Sequence, residues 1–286
     1  IRDSNITAYA KPLQNENLTA NNVKTVIVEV KAIKGKILVD QTHYTDDISL
    51  FSCWINELEK RGYLVEINTV YPINSTILNE YDVLVIPQAH SRYLLKEIRA
   101  IKEFVNGGGG LLVLGDDSPQ VYTELTSFAG LSWKTDVILE GETTNIEVHE
   151  VTANVSRVYI PYSLAAIIAA EPSKSIVRSS TGRTILGVYS KIGRVACFVN
   201  IEAFMDRTIN SADNLQLAIN IIVWLVKNDC SPPEIDIISP ENEAYVGSKS
   251  INVEWTAFDS ESGAVSYTHL RAHETRHDLV CRLLLE

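Results

Sequence analysis

Two sets of residues in this chain have types and spacing suited to chemistry. The first is HETRH at 273–277. On a helix, His273 and His277 would stand one turn apart on one face. That spacing can hold a zinc ion, and Glu274 could activate the metal-bound water. His269 lies one turn earlier, so three histidines would share a stripe. The second set is dispersed. Asp40 ends GKILVD and is followed by Gln41 and His43, and Gln88, His90, Ser91 and Arg92 follow DVLVIP. Asp116, Asp117 and Ser118 follow LLVLG, and Glu202, Asp206 and Arg207 follow GRVACFVN. Each group sits just past an apolar run. Brought to one rim, such acids, imidazoles and guanidinium groups could bind a small ligand or move protons.

The zinc motif fails on its surroundings. A zincin takes a third protein ligand, normally downstream of the motif. Nine residues follow His277, and the acids among them, Asp278 and Glu286, are not at the usual spacings. AVSYTHLRAHETRHDLVCRLLLE shows no turn signal and no strand alternation, and such a helix would lack a partner domain to bury Leu270 and Leu279. The string VSYTHLRAHET resembles the translation of a transposon-type sequencing adapter, and DLVCRLLLE resembles that of its flow-cell end, with TRH as the index between them. Residues 264–286 are therefore expected to be a non-native tail, and no metal site is expected there. Without the tail the formal net charge stays at −11.

The dispersed set depends on the elements that carry it. GKILVD (35–40), DVLVIP (82–87) and LLVLGDD (111–117) contain short apolar runs suited to buried parallel strands. LVEINTV (64–70) alternates as a strand. Between them, Ile48, Phe51, Ile55 and Leu58 recur at helical spacing, with Thr45 or Asp46 as cap and Gly62 as stop. Leu94, Ile98, Ile101 and Val105 mark a second helix, which GGGG (107–110) ends. QVYTELTSFAG (120–130) reads as a short helix. VILEGETTNIEV, KSIVRSS, TILGVYS and GRVACFVN read as strands. NLQLAINIIVWLV (214–226) is apolar nearly all round, so it predicts a deeply buried helix capped by Ser211 or Asp213. Strands alternating with helices predict an α/β, doubly wound, mainly parallel sheet with helices on both faces.

The flanks read differently. KTVIVEV alternates after a turn-rich connection, and 1–31 is similar to the end of an adhesion-type Ig-like module. CSPPEID contains a proline linker, 229–233. The stretch 234–263, with its W-T-A-x-D-x-x-S-G, resembles the opening of a second Ig-like module. The expected organisation is thus an α/β domain over 32–228 within a fragment of a larger protein.

Composition narrows the function. Hydrophobic content of 45% and charged content of 21% suit a chain that buries a core. A net charge of −11 and the lack of any run of four Lys/Arg argue against a nucleic-acid partner. The apolar stretches 164–170 and 215–226 are too short for the roughly 20 residues of a membrane span. Four cysteines form no C-x-x-C pair, and Cys53 and Cys197 are expected to be small buried hydrophobes. Asn-x-Ser/Thr triplets at Asn5, Asn17, Asn74 and Asn154 would permit glycosylation of an exported chain.

Specific catalytic motifs are missing from the rim. GGGG precedes a strand, so it stops a helix instead of cradling phosphate. No G-x-S-x-G elbow occurs. Nothing positions a Ser118–His90–Asp set, and Asp40, Asp116 and Asp117 read more simply as a solvated rim than as a cation site.

The order KILVDQTH, ELEKRGY, YDVLVIPQA, EIRAIKEFVNGGGGLLVLGDD, GRV and DNLQLAINIIVWL resembles the glutamine-amidotransferase-like domains of prokaryotic surface and transport proteins. The N-terminal domain of an intraflagellar transport protein falls in the same class. The resemblance spans roughly 34–228 and implies a flavodoxin-like fold. Amidotransferases of this class carry a nucleophilic Cys in a turn after a central strand. Here that turn reads LGDDSP, so the chemistry is not carried over. The expectation is a non-catalytic binding or scaffolding module of an exported or cell-surface prokaryotic protein. It would need no cofactor and would take an unidentified extracellular ligand, protein or saccharide. The candidate ligand-binding residues are Asp40, His43, Gln88, His90, Asp116, Asp117 and Glu202. Two alternatives stand beside this: an accessory segment of a secreted hydrolase such as a subtilisin-like protease, and a hydrolase with its site at the strand rim.

Overall fold

The computed structural model describes residues 33–43 and 47–226, together with the strands Arg2–Ala10, Val23–Ala32, Glu234–Ser239, Tyr245–Val246, Glu254–Phe258, Val265–Ala272 and Cys281–Leu285. The chain divides into two units, 34–228 and the combination of 1–33 with 229–286.

In the second of these units, β1 (Arg2–Ala10) and β2 (Val23–Ala32) pair antiparallel. The α/β unit follows in the chain. Its strands are β3 (Gly35–Asp40), β4 (Tyr63–Asn68), β5 (Val83–Pro87), β6 (Gly110–Leu114), β7 (Leu131–Ile138), β8 (Gly141–Thr143), β9 (Val158–Ile160), β10 (Ser163–Ala169), β11 (Lys174–Arg178), β12 (Thr184–Ser190) and β13 (Arg194–Phe198). Its helices are α1 (Ser52–Lys60), α2 (Ser75–Leu78), α3 (Leu95–Asn106), α4 (Pro119–Thr126) and α5 (Asn214–Leu225).

Nine strands form one sheet in the order β4-β3-β5-β6-β13-β12-β10-β7, with β11 paired to β12. The first five run parallel and the rest are joined antiparallel. Counting only the parallel strands, the order is 2-1-3-4-5, the flavodoxin-like winding. Parallel crossovers are right-handed as a rule, so a winding that reverses at β3 places helices on both faces. α1 accordingly packs on α5, whereas α2 and α4 pack on α3. The parallel strands are apolar runs because both faces are covered: β5 and β6 are buried at every position. α5 buries eight of its twelve residues, as its all-round apolar sequence predicts.

Element ends correct several expectations. The turn of 3-10 helix before α1 is capped by Asp47, whose carboxylate accepts the Ser49 N–H; Thr45 and Asp46 lie outside the described residues. Asp213 stands at the N-cap of α5 without capping it, because its carboxylate instead accepts the N–H groups of Ser156 and Arg157. Leu94, expected on the inner face of the second helix, is exposed, and Glu97 is fully buried in its place. VILEGETTNIEV is broken into β7 and β8, and the apolar stretch near 164–170 is strand β10. Cys197 is buried but Cys53 is exposed.

After α5 the chain forms β14 (Glu234–Ser239), β15 (Tyr245–Val246), β16 (Glu254–Phe258), β17 (Val265–Ala272) and β18 (Cys281–Leu285). These give a five-stranded sheet in the order β15-β18-β1-β2-β17 and a separate pair, β14-β16. The stretch 264–286, whose sequence shows no strand alternation, contributes β17 and β18. An open strand edge pairs with whatever extended segment the chain brings to it, through backbone groups that every residue has. His269 lies in β17, so it is not on a helix; His273, Glu274 and His277 lie outside the described residues.

Candidate functional site at the carboxyl rim of the sheet

The winding reverses between β3 and β5, and ligands of such sheets bind beyond the strand ends at that point. In this chain the point is occupied by a buried polar cluster. Asp40, the last residue of β3, is 0% exposed. Its Oδ2 accepts from Tyr93 Oη at 2.6 Å and pairs with His43 Nδ1 at 2.9 Å. Its Oδ1 accepts from Thr42 Oγ1 at 2.7 Å and from Asn68 Nδ2, at the end of β4, at 3.1 Å. The other ring nitrogen, His43 Nε2, lies 3.3 Å from Glu97 Oε2. The imidazole is 1% exposed and lies flat on Tyr93, with ring centroids 3.6 Å apart, while Tyr71 meets it edge-on.

Glu97 is in the first turn of α3, where a carboxylate is favoured by the open N–H groups. It accepts the Leu94 N–H at 2.8 Å and the Ile73 N–H at 2.9 Å. The carbonyl of His43 accepts the N–H groups of His90 and Ser91. One histidine therefore ties together the end of β3, the loop after β4, the loop after β5 and the start of α3.

Charge follows from this geometry. Burial works against a charged His43 ring, but the hydrogen bond and charge of Asp40, then those of Glu97, outweigh it and hold the pKa above the ordinary value. Burial likewise opposes an ionised Asp40, yet the bonds from His43, Tyr93 and Thr42 hold its pKa below the ordinary value. The phenol of Tyr93 is pushed far up by burial and then by the Asp40 charge, so it remains a donor.

The open part of the rim lies over β5, β6 and β13. Gln88 Nε2 donates to Asp117 Oδ1 at 3.2 Å, and His90 Nδ1 stands 4.0 Å from the same oxygen. The His90 and Asp117 side chains are 42% and 46% exposed. Asp116 accepts the Leu164 N–H at 3.3 Å. Its pKa is raised, first by burial and then by the charges of Asp117 and Glu202. Glu202 pairs with Arg207, and Arg92 lies 3.8 Å from Glu124.

The seven candidate residues thus fall into two groups. Asp40 and His43 are interior and touch no solvent. His90, Asp116, Asp117 and Glu202 share the open rim, with Gln88 buried beneath them and bonded to Asp117. Asn68, Tyr93 and Glu97, with the half-buried Thr42, complete the interior group and were not singled out from the sequence. Glu97 carried a legible signal, an acid in the first turn of a helix. Tyr93 and Asn68 carried none, since tyrosine and asparagine in polar loops are ordinary.

The turn after β6 is where the resemblance places a nucleophile. It holds Asp116, Asp117 and Ser118, and Ser118 donates to Asp117 Oδ1 at 3.1 Å. The left-handed non-glycine residues among those described are Asn154 and Ala212, so this turn does not present a side chain on a strained elbow. Cys197 is inside β13, with its thiol pushed up by burial. Among the described residues no three His, Cys, Asp or Glu side chains are grouped to hold a metal ion. No helix among them is long and apolar enough to cross a membrane.

No family model matches the chain, and no curated protein matches its sequence. Solved structures do match. The mmIFT52 N-terminal domain aligns with a TM-score of 0.59 at 14% identity, over 68% of this chain and 100% of that one. A ThuA-like protein of Bacteroides uniformis aligns at 0.54 and 17% identity, over 71% and 95%. The cytoplasmic protein STM1381 of Salmonella typhimurium aligns at 0.50 and 16%, over 67% and 100%. Identities this low speak for the fold alone. ThuA-like proteins share the class I glutamine-amidotransferase-like fold, and the strand order, the helices on both faces and these likenesses together show that this chain carries that α/β fold.

Proposed function

We propose that the α/β unit is a non-catalytic binding or scaffolding module of a large exported or cell-surface prokaryotic protein. One observation carries this reading. The crevice at the reversal of the winding, where such folds take ligands, is filled by Asp40, His43, Tyr93 and Glu97, each engaged with the others or with backbone. What remains is the rim of His90, Asp116, Asp117 and Glu202 over the buried Gln88, where the exposed imidazole and the carboxylates of Asp117 and Glu202 suit recognition of a surface protein or saccharide. The Ig-like sequence patterns of the flanks and the Asn-x-Ser/Thr triplets support an exported address.

A second reading is favoured by Asp116, whose raised pKa beside two further acids is the pattern of a general acid. It would make the rim a hydrolase site. One experiment separates the two. The full chain is assayed for glutamine, ester and glycoside hydrolysis and probed against arrays of saccharides and surface proteins. Binding that weakens in His90→Ala and Asp117→Ala, without turnover, supports the module. A turnover lost in His90→Ala and Asp116→Ala would replace it with the hydrolase.

A further inference from the structure

We propose that His43 is a proton-controlled latch that holds the rim loops in place when its ring is doubly protonated and releases them when it is not. The argument begins with donor counting. Both ring nitrogens face carboxylates, Nδ1 at 2.9 Å from Asp40 and Nε2 at 3.3 Å from Glu97. A neutral imidazole has one N–H and one bare lone pair. In this setting the bare nitrogen would point at a carboxylate oxygen, acceptor against acceptor, in a place where no water can intervene. Asp40 and Glu97 are both 0% exposed and His43 is 1% exposed. With both carboxylates ionised, the arrangement is satisfied only with a proton on each nitrogen.

Among the described residues, the groups facing the ring are Asp40 from β3, Glu97 from α3, Tyr93 from the loop before α3 and Tyr71 from the loop after β4. Thr42 Oγ1, on the same loop, lies 2.9 Å from Nδ1. Tyr93 is committed to Asp40 as a donor and brings no second charge. The ring is therefore the cation of a buried group that has two anions.

Removing its proton leaves Glu97 without its charged partner. Glu97 then keeps only the Ile73 and Leu94 N–H groups, which hold the loop after β4 and the start of α3. A buried carboxylate so exposed to unpaired charge either takes up a proton or draws in water, and in both cases those two attachments slacken. The His43 carbonyl also holds the N–H groups of His90 and Ser91, so movement of this residue reaches the open rim directly. The latch does not depend on what the rim binds.

The test uses the full chain with ¹⁵N-labelled histidine. At pH 6 the His43 resonances should show both nitrogens protonated, and they should titrate above the ordinary imidazole value of 6.5. Backbone amides of 71–73 and 90–94, corrected for intrinsic exchange, should lose protection with the same midpoint. Glu97→Gln keeps the shape and removes one anion, so both midpoints should fall together, by roughly one to three pH units. His43→Gln should abolish the pH-dependent loss of protection. Should it fail to fold, Glu97→Gln carries the test. A singly protonated His43 at pH 6 overturns the latch, as does loop protection that ignores its titration or a midpoint unmoved by Glu97→Gln.

Discussion

The buried cluster at β3 and the open rim over β5, β6 and β13 are built from the same residue types and lie at the same end of the sheet. They differ in partnering. Every oxygen of Asp40 and Glu97 is engaged, and the ring between them is sandwiched by aromatic and charged neighbours. His90 and Asp117, by contrast, are more than two-fifths exposed and stand 4.0 Å apart. A polar residue at a strand end can therefore be a fastener or a contact, and burial decides which. In the fastener the charges stabilise one another in a medium that cannot replace them. On the rim, water competes for the exposed side chains of His90 and Asp117, so each bond they make is worth less.

The sharpest way to break this contrast is to delete one partner from each group. Asp40→Ala removes one of the two carboxylates that face the buried imidazolium and also strips Tyr93, Thr42 and Asn68 of an acceptor. A loss of about 3–5 kcal/mol is expected, read as a fall in the urea midpoint. A loss below about 1 kcal/mol would place Asp40 with the rim residues. Tyr93→Phe takes away one charge-assisted bond while keeping the ring that stacks on His43. It should cost about 1.5–3 kcal/mol in the same titration.

pH separates the two regions next. The folded pKa of His43 is raised above its reference value of 6.5. Its stabilisation is thus fully present below the unfolded value and lost as pH rises through the folded value. Asp40 is lowered from 3.8, so its stabilisation is present above that value and lost as pH falls through the folded one. Between those limits the cluster contributes most. Above them stability should fall with a slope of at most about 1.4 kcal/mol per pH unit, and His43→Gln should flatten that limb. The smallest effect is expected on the rim. His90→Ala and Asp117→Ala should each move stability by no more than about 0.5 kcal/mol, while weakening any ligand found by the arrays. A large loss of stability from either would mean that the rim, too, is a fastener.

How much of this was legible beforehand varies by region. Apolar runs ending in polar residues marked β3, β5, β6 and β13 and placed Asp40 at a strand end and Gln88 and Asp116 just past two others, because a buried parallel strand must be apolar until it leaves the sheet. The helix stop at GGGG and the buried α5 were readable for similar local reasons. The division of the candidate residues into two groups was not readable. His43 and Glu97 are 54 residues apart, and nothing local in QTHYT or LLKEI states that they meet.

The sequence by itself therefore determined the alternation of strands and helices, the polar strand ends and the absence of a cysteine in LGDDSP, since each depends on neighbours along the chain. The tertiary structure alone decided that Asp40, His43, Asn68, Tyr93 and Glu97 converge at the reversal of the winding. It alone decided that they are dry there while His90 and Asp117 are wet. Burial, and with it the strength of every charge, is a property of what the fold brings alongside a residue and not of the residue's own segment.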